Sequence, residues 1–223
     1  VLYDKNSHLN DKNLNKRICD YCEVEYIPCD PTEVIETIEN EKYKFKEKGV
    51  NYYYIWGGGK SSEGVQAYSD CVIELKNQIE FTPDYIITPI GTGTTFSGLS
   101  IGCENFLPNT RTIGISIARV KKDILTVIDD ILSNYREMSH LERTVHSMDL
   151  SDNIFDEFIL GGYGKVNNEY LTFIKSVILN ESLIFDDIYV GKTLFGIYQL
   201  SRRSEMFKNK NIVFINTGGL YNF

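Results

Sequence analysis

Short runs of almost wholly apolar residues alternate along this chain with segments whose apolar residues recur at helical spacing, and no other feature constrains the fold as much. Tyr85-Ile86-Ile87-Thr88, Thr112-Ile113-Gly114-Ile115-Ser116-Ile117 and Ile212-Val213-Phe214-Ile215 are dominated by apolar residues and carry no charge on either face. Each therefore predicts a strand covered on both sides, as in a parallel sheet between helical layers. Helices are expected at 121–135, at 168–179 and from 191 onward. Near the start, Leu9, Leu14, Ile18 and Cys22 recur at helical spacing, and Val24-Glu25-Tyr26-Ile27 reads as a short strand. Asp30-Pro31-Thr32-Glu33 offers an N-cap, a proline at the first helical position and an acidic residue at the third, opening a helix that stops near Gly49. Tyr52 to Ile55 reads as the next strand, and the polar stretch from Ser139 to Asp156 carries no clear pattern. Gly57-Gly58-Gly59-Lys60-Ser61-Ser62 precedes an amphipathic helix carrying Val65, Tyr68, Val72, Ile73 and Leu75. The lobe boundary is placed there, with 1–57 in a small α/β lobe and 58–223 in a large one. The expected class is α/β, two-lobed and three-layered, with parallel sheets.

Composition narrows the function. The 223 residues, 42% hydrophobic and 24% charged, suffice for one sizeable core or two modest ones, which excludes disordered and fibrous chains. Against 31 Asp+Glu stand 23 Lys+Arg, a formal charge of -8, so nucleic acid is not expected as a partner. No window approaches the roughly 18 apolar residues of a membrane span, and VLYDKNSHLN lacks the zones of a signal peptide. No membrane partner and a cytoplasmic location are the expectations. Five cysteines without an export signal favour reduced thiols. Cys19 and Cys22 form the one close pair, and His8, His140 and His146 are scattered, so no metal site is expected. The first residue is Val1, and the opening VLY reads as the end of a buried strand with nothing before it to pair with. The chain is expected to be the C-terminal portion of a longer one, lacking the N-terminal strands of its architecture.

Four segments carry chemistry. Gly91-Thr92-Gly93-Thr94-Thr95 follows an apolar strand and opens a helix. Its glycines admit a ligand close to the backbone, while hydroxyls and free helix N-terminal amides point into the loop, an arrangement suited to phosphate. It lacks the Lys-Ser/Thr ending of a P-loop and the acidic residue of a dinucleotide site, and a plain strand-to-helix turn is the competing reading. Asn216-Thr217-Gly218-Gly219 lies at the carboxyl end of the last strand, where the ligand crevice of an open α/β sheet forms. A hydroxyl there suits a heteroaromatic ring nitrogen, though the segment also reads as a glycine turn. Gly161-Gly162-Tyr163-Gly164 and Asp186-Asp187-Ile188-Tyr189-Val190-Gly191-Lys192-Thr193 each set a tyrosine near glycine, which by itself is as compatible with packing as with function.

Taken in order, GTGTT, GGYGKVNNE, FDDIYVGKTLFG and NTGG resemble the family of 1-aminocyclopropane-1-carboxylate deaminases and D-cysteine desulfhydrases, pyridoxal-phosphate enzymes of the tryptophan synthase β-like fold. Asn13 and Arg17 match the family's small-lobe helix, and YIWGGGKSSEGVQAY matches the segment leading into its large lobe. The resemblance implies pyridoxal 5'-phosphate as cofactor, cradled at its phosphate by Gly91, Thr92, Gly93, Thr94 and Thr95. Thr217 would face the pyridine nitrogen, and a neutral hydroxyl tempers the electron sink relative to a carboxylate. Tyr163 and Tyr189 would be the catalytic pair, acting on the leaving group if a stacked ring or nearby cation tunes a phenol whose ordinary pKa is about 10.

Two departures refine this expectation. The deaminase branch carries glutamate after the tyrosine matching Tyr189, whereas Val190 stands here, which favours β-elimination from a D-amino acid over ring-opening deamination. The family's Schiff-base lysine and the Ser-Asn-His turn after it are absent from this chain, and none of Lys60, Lys165 or Lys192 sits in the matching context. The segment alone is therefore expected to be inactive. The leading expectation is a D-cysteine desulfhydrase-like lyase acting on a small amino acid; the resemblance makes a homodimer possible and leaves the oligomeric state open. A catalytically silent phosphate-ligand-binding or regulatory module and a 1-aminocyclopropane-1-carboxylate deaminase are the alternatives.

Overall fold

The computed structural model describes residues 2–4, 14–30, 32–139 and 147–219. Val1, His8, Leu9, Asn13, Pro31, His140 and His146, on which some of the expectations above rest, lie outside the described residues. The chain divides into two compact units, Val1–Ile55 and Trp56–Tyr221.

In the first unit β1 (Leu2–Asp4) and β2 (Ile27–Cys29) pair in parallel, Leu2 opposite Ile27, alongside α1 (Leu14–Tyr21) and α2 (Val34–Glu47). Three sequence expectations shift here. The strand expected at Val24–Ile27 forms instead at Ile27–Cys29, the residues that find a ladder partner in Leu2–Asp4. The helix expected to start behind Asp30 starts at Val34. The Asp30 carboxylate accepts from the Thr32 amide at 3.0 Å and hydroxyl at 2.7 Å, and that local turn competes with the helix. Tyr52 to Ile55 forms no strand, and Tyr53 is 75% exposed. β-propensity without a neighbouring strand does not make one.

The second unit runs α3 (Ser62–Gln78), β3 (Tyr85–Ile90), α4 (Thr94–Phe106), β4 (Arg111–Ser116), α5 (Lys121–Ser139), β5 (Ile154–Phe155), α6 (Asn168–Glu181), α7 (Val190–Arg203) and β6 (Ile212–Phe214). Its sheet has the order β5-β4-β3-β6, all pairs parallel, with Tyr85 opposite both Arg111 and Ile212. Side chains alternate as the pleat dictates. Ile86 packs with Val72, Leu99 and Cys103 on the α3 and α4 face, whereas Ile87, Ile113 and Ile115 pack with Tyr170 and Phe195 on the α6 and α7 face. Helices thus cover both faces of an entirely parallel sheet. β5 falls in the polar stretch where no strand was legible, because two residues carry no periodicity.

Pro89 does not end β3, which continues to Ile90. Ile87 turns its carbonyl to β6 and Ile90 its carbonyl to Ile117 beyond β4, so Pro89 faces the β6 side, where pairing has already stopped at Ile87. Its missing N–H removes no ladder bond. α3 and α4 meet at Gly98 and Gly102. A Cβ on Gly98 would collide with the Val65 carbonyl oxygen and lie 2.6 Å from Tyr68 Cβ. Among the described residues no helix is long and apolar enough to cross a membrane, and no group of three or more His, Cys, Asp or Glu is gathered to hold a metal.

Candidate active site

Because the four strands run the same way, the loops after β3, β4, β5 and β6 gather on one edge of the sheet, where ligand crevices form in open α/β sheets. The loop after β3 is Gly91-Thr92-Gly93. Gly93 adopts φ 92°, a left-handed conformation that favours glycine, and caps α4 with no side-chain hydrogen bond. The first-turn amides of this 13-residue helix therefore carry their partial positive charge unopposed by a capping side chain. Thr94 is buried, while Gly91, Thr92 and Thr95 are partly exposed. The Thr92 and Thr94 hydroxyls lie 3.4 Å apart, and Thr92 Oγ1 faces the Gly58 carbonyl oxygen at 3.5 Å. A Cβ on Gly58 would lie 2.5 Å from Thr92, so the Gly57–Gly59 turn closes on this loop because Gly58 lacks a side chain. Donors of this kind, amides and hydroxyls around a helix N-terminus, fit a phosphate dianion.

Beside the loop stands Tyr189. Its ring lies so close that a Cβ on Gly91 would sit 3.0 Å from Tyr189 Cε1. The Tyr189 hydroxyl donates to the Tyr163 hydroxyl at 3.4 Å, and the two rings meet edge to face at 76°, centroids 6.0 Å apart. Tyr163 is 58% exposed and rides on a turn with positive φ at Leu160, Gly161, Gly162 and Gly164. Burial, then the Tyr163 hydroxyl, push the Tyr189 phenol well above its ordinary range, with Arg119 pulling the other way. The arrangement therefore keeps Tyr189 as a neutral donor.

Tyr189 is aimed by the residue three places before it. Asp186 is fully buried, and its carboxylate accepts from the amides of Ile188 at 2.9 Å, Tyr189 at 2.6 Å and Val190 at 3.1 Å. It thereby caps α7. The same side chain meets the C-terminal loop, since a Cβ on Gly219 would lie 2.7 Å from Asp186 Cγ. Gly219 has φ 89° and no room for a side chain. Thr217 is exposed two residues before it, and the Asn216 side-chain oxygen accepts from the Gly218 amide at 3.1 Å.

The structure thus sets Tyr189 between Gly91 and Tyr163, gathers Thr92 and Thr94 in the same loop as Gly91, and ties the Thr217 segment to Tyr189 through Asp186. Two residues escaped the sequence analysis. Ser116, at the end of β4, donates to the Arg119 carbonyl at 2.6 Å and accepts from the Arg119 amide at 3.1 Å. This turns Arg119 back so that its guanidinium donates to the Gly91 carbonyl at 3.2 Å. A basic residue just past the carboxyl end of a strand is the signal that could have found it. The other is Lys192, set aside from imine chemistry by its sequence context but otherwise unread. It is fully buried, donating to three backbone carbonyls. Val190, where the deaminase branch has glutamate, is 1% exposed within an apolar cluster containing Phe185, Ile174 and Phe195.

Comparison with known proteins bears on the family and the fold. A protein of Pyrococcus horikoshii, provisionally named 1-aminocyclopropane-1-carboxylate deaminase, is 29% identical over 191 residues, covering 86% of this chain and 56% of its own length. A Thermotoga maritima protein of the same provisional name is 28% identical over 201 residues, covering 89% and 61%. The chain thus spans little more than half the length of these relatives. The crystal structure of a homologue of that deaminase superposes with a TM-score of 0.83 at 26% identity, over 98% of this chain and 64% of the other. A pyridoxal 5'-phosphate-dependent aspartate racemase shares the fold, with a TM-score of 0.62 at 13% identity over 98% of this chain and 65% of its own. The model of the pyridoxal-phosphate dependent enzyme family matches residues 10–218, nearly the whole of the chain and every loop of the crevice edge. With its parallel sheet, its fold type II neighbours and that match, the chain belongs to the pyridoxal-phosphate dependent enzyme family, whose cofactor is pyridoxal 5'-phosphate.

Proposed function

We propose that the full-length protein carrying this chain is a lyase resembling D-cysteine desulfhydrase, converting a small D-amino acid and water into a 2-oxo acid and ammonia, with sulfide released when the substrate is D-cysteine. The observation that carries this reading is the Tyr163–Tyr189 hydroxyl pair, 3.4 Å apart beside the Gly91 loop. When bound, the cofactor supplies an electron sink for the substrate's α-carbon. Gly91, Thr92, Gly93, Thr94 and Thr95 hold its phosphate through the first-turn amides of α4 and the threonine hydroxyls. Thr217 faces its ring nitrogen with a hydroxyl, which stabilises a ring proton less than a carboxylate would. Tyr189 holds a proton on its hydroxyl oxygen, and Tyr163 accepts from that hydroxyl and shares the proton's delivery to the departing sulfur.

The imine-forming lysine is assigned outside these residues, so the segment alone gives no turnover. The lysines here are otherwise engaged or misplaced. Lys192 spends its hydrogen bonds on carbonyls, Lys60 pairs with Asp130 at 2.6 Å, and Lys165 is exposed on the turn beyond Tyr163. The burial of Val190 among apolar side chains supports elimination over ring opening, because no carboxylate stands there. The names of the relatives favour a second reading, 1-aminocyclopropane-1-carboxylate deaminase. Full-length protein loaded with pyridoxal phosphate should release pyruvate and sulfide from D-cysteine. Ring-opening of the cyclopropane substrate to 2-oxobutanoate instead would establish the second reading, and no product from either substrate would leave a silent cofactor-binding module.

A further inference from the structure

We propose that Lys192 is a positioning residue that sets Tyr163 against Tyr189 by holding the turn between β5 and α6 in place with its buried ammonium group. Lys192 is 0% exposed. Its Nζ donates to the carbonyls of Ile117 at 2.9 Å, Ile159 at 2.9 Å and Gly162 at 2.6 Å, so its three N–H groups meet three acceptors and no carboxylate is needed. One acceptor is anchored to the sheet, because the Ile117 amide donates to the Ile90 carbonyl at 3.2 Å. The other two belong to the turn that presents Tyr163.

That turn is built from unusual backbone angles. Its φ values are 54° at Leu160, 92° at Gly161, 126° at Gly162 and 66° at Gly164. For leucine the left-handed conformation costs about 1 kcal/mol. A Cβ on Gly162 or Gly164 would meet nothing within 4 Å, so glycine is there for its backbone angles; Leu160 packs against the core cluster of Phe158 and Phe195, but the Gly161–Gly164 stretch that carries Tyr163 has no such anchor at its glycines. Within the turn the Gly162 amide donates to Ile159 at 2.9 Å and the Lys165 amide to Gly162 at 3.2 Å. Lys192 binds those same two carbonyls and ties both to the end of β4. A methionine would fill the space on α7 without that link, and burial already disfavours the charge that Lys192 carries.

Two readouts test this on the full-length protein, and only the second rests on the function proposed above. In cofactor-free Lys192→Met, amide exchange at Gly162 and Lys165 should rise about tenfold or more while amides of β3 and β4 keep their protection. No local change, or a uniform rise through the sheet, would overturn the proposal. With cofactor and D-cysteine, Lys192→Met should lose kcat as far as Tyr163→Phe does, KM staying within about threefold, and the double variant should be no worse than Tyr163→Phe. Losses that multiply would overturn it. Should Lys192→Met fail to fold, Gly162→Ala strains the same turn without meeting a neighbour, and wild-type exchange and kcat in that variant would overturn the proposal equally. A wild-type protein inactive on D-cysteine would sink the substrate reading, and the exchange experiment would still decide the role of Lys192.

Discussion

Tyr189 has a neighbouring ring, met edge to face, and a nearby cation, in Tyr163 and Arg119, yet it does not become a base. Burial is the largest influence and raises its pKa, the hydrogen bond to Tyr163 raises it further, and Arg119 only partly opposes them. A group whose neutral form is favoured keeps its proton above the ordinary phenol range. Activity that depends on the protonated hydroxyl should therefore persist past about pH 10 as far as Tyr189 is concerned. Removing the hydroxyl in Tyr189→Phe should lower kcat about 10²–10³-fold with cofactor affinity retained, measured by steady-state kinetics and an absorbance titration. The glycines and tyrosines of the site were legible because they sit in short ordered motifs. Arg119 was not, because its approach to Gly91 depends on a turn made by Ser116 and on two strands lying side by side.

Among the elements, helix ends decide where the site sits, and two aspartates show how context rules them. Asp30 looked like an N-cap and instead holds Thr32 in a local turn. Asp186, which had no such pattern, caps α7 with three amide contacts from a fully buried position. Asp186→Ala should cost about 2 kcal/mol in urea unfolding and lower the alignment of Tyr189, seen as a kcat loss larger than the change in KM. The α3–α4 contact sets the height of α4, the helix that opens from the Gly91 loop. Gly98→Ala brings a methyl against the Val65 carbonyl and Tyr68, and should destabilise the protein by about 2 kcal/mol in the same measurement. A glycine inside a helical pattern reads from sequence only as a weakness of the helix, since the neighbour it admits is invisible there.

For the whole molecule, the sheet core carries a pH limit. Cys103 is 3% exposed between α4 and the sheet, and burial pushes its thiol from 9.0 up to about 11, with a Thr112 contact opposing. The folded state thus prefers the protonated thiol. Its contribution is fully present below pH 9.0 and is lost as pH rises through about 11. Denaturant midpoints should fall between about pH 8 and pH 10.5, and Cys103→Ala should fall less steeply over that range whatever its stability at the lower pH. A parallel wild-type slope in that variant would contradict the assignment.

The class of fold and, β5 apart, the succession of strands and helices in the larger unit followed from sequence, because a strand covered on both faces is dominated by apolar residues and a covering helix is apolar on one side. The glycine–threonine loop followed too, since a strand, two glycines and a helix start leave amides free whatever surrounds them. The tertiary structure alone decided that Pro89 stays inside β3, that the Tyr52 segment forms no strand among the described residues, and that Arg119, Asp186 and Lys192 converge on the Gly91 and Tyr163 loops. Those outcomes depend on which neighbour ends where, on contacts between residues far apart in the chain, and on whether a buried ammonium finds carbonyls to hold, none of which local spacing encodes.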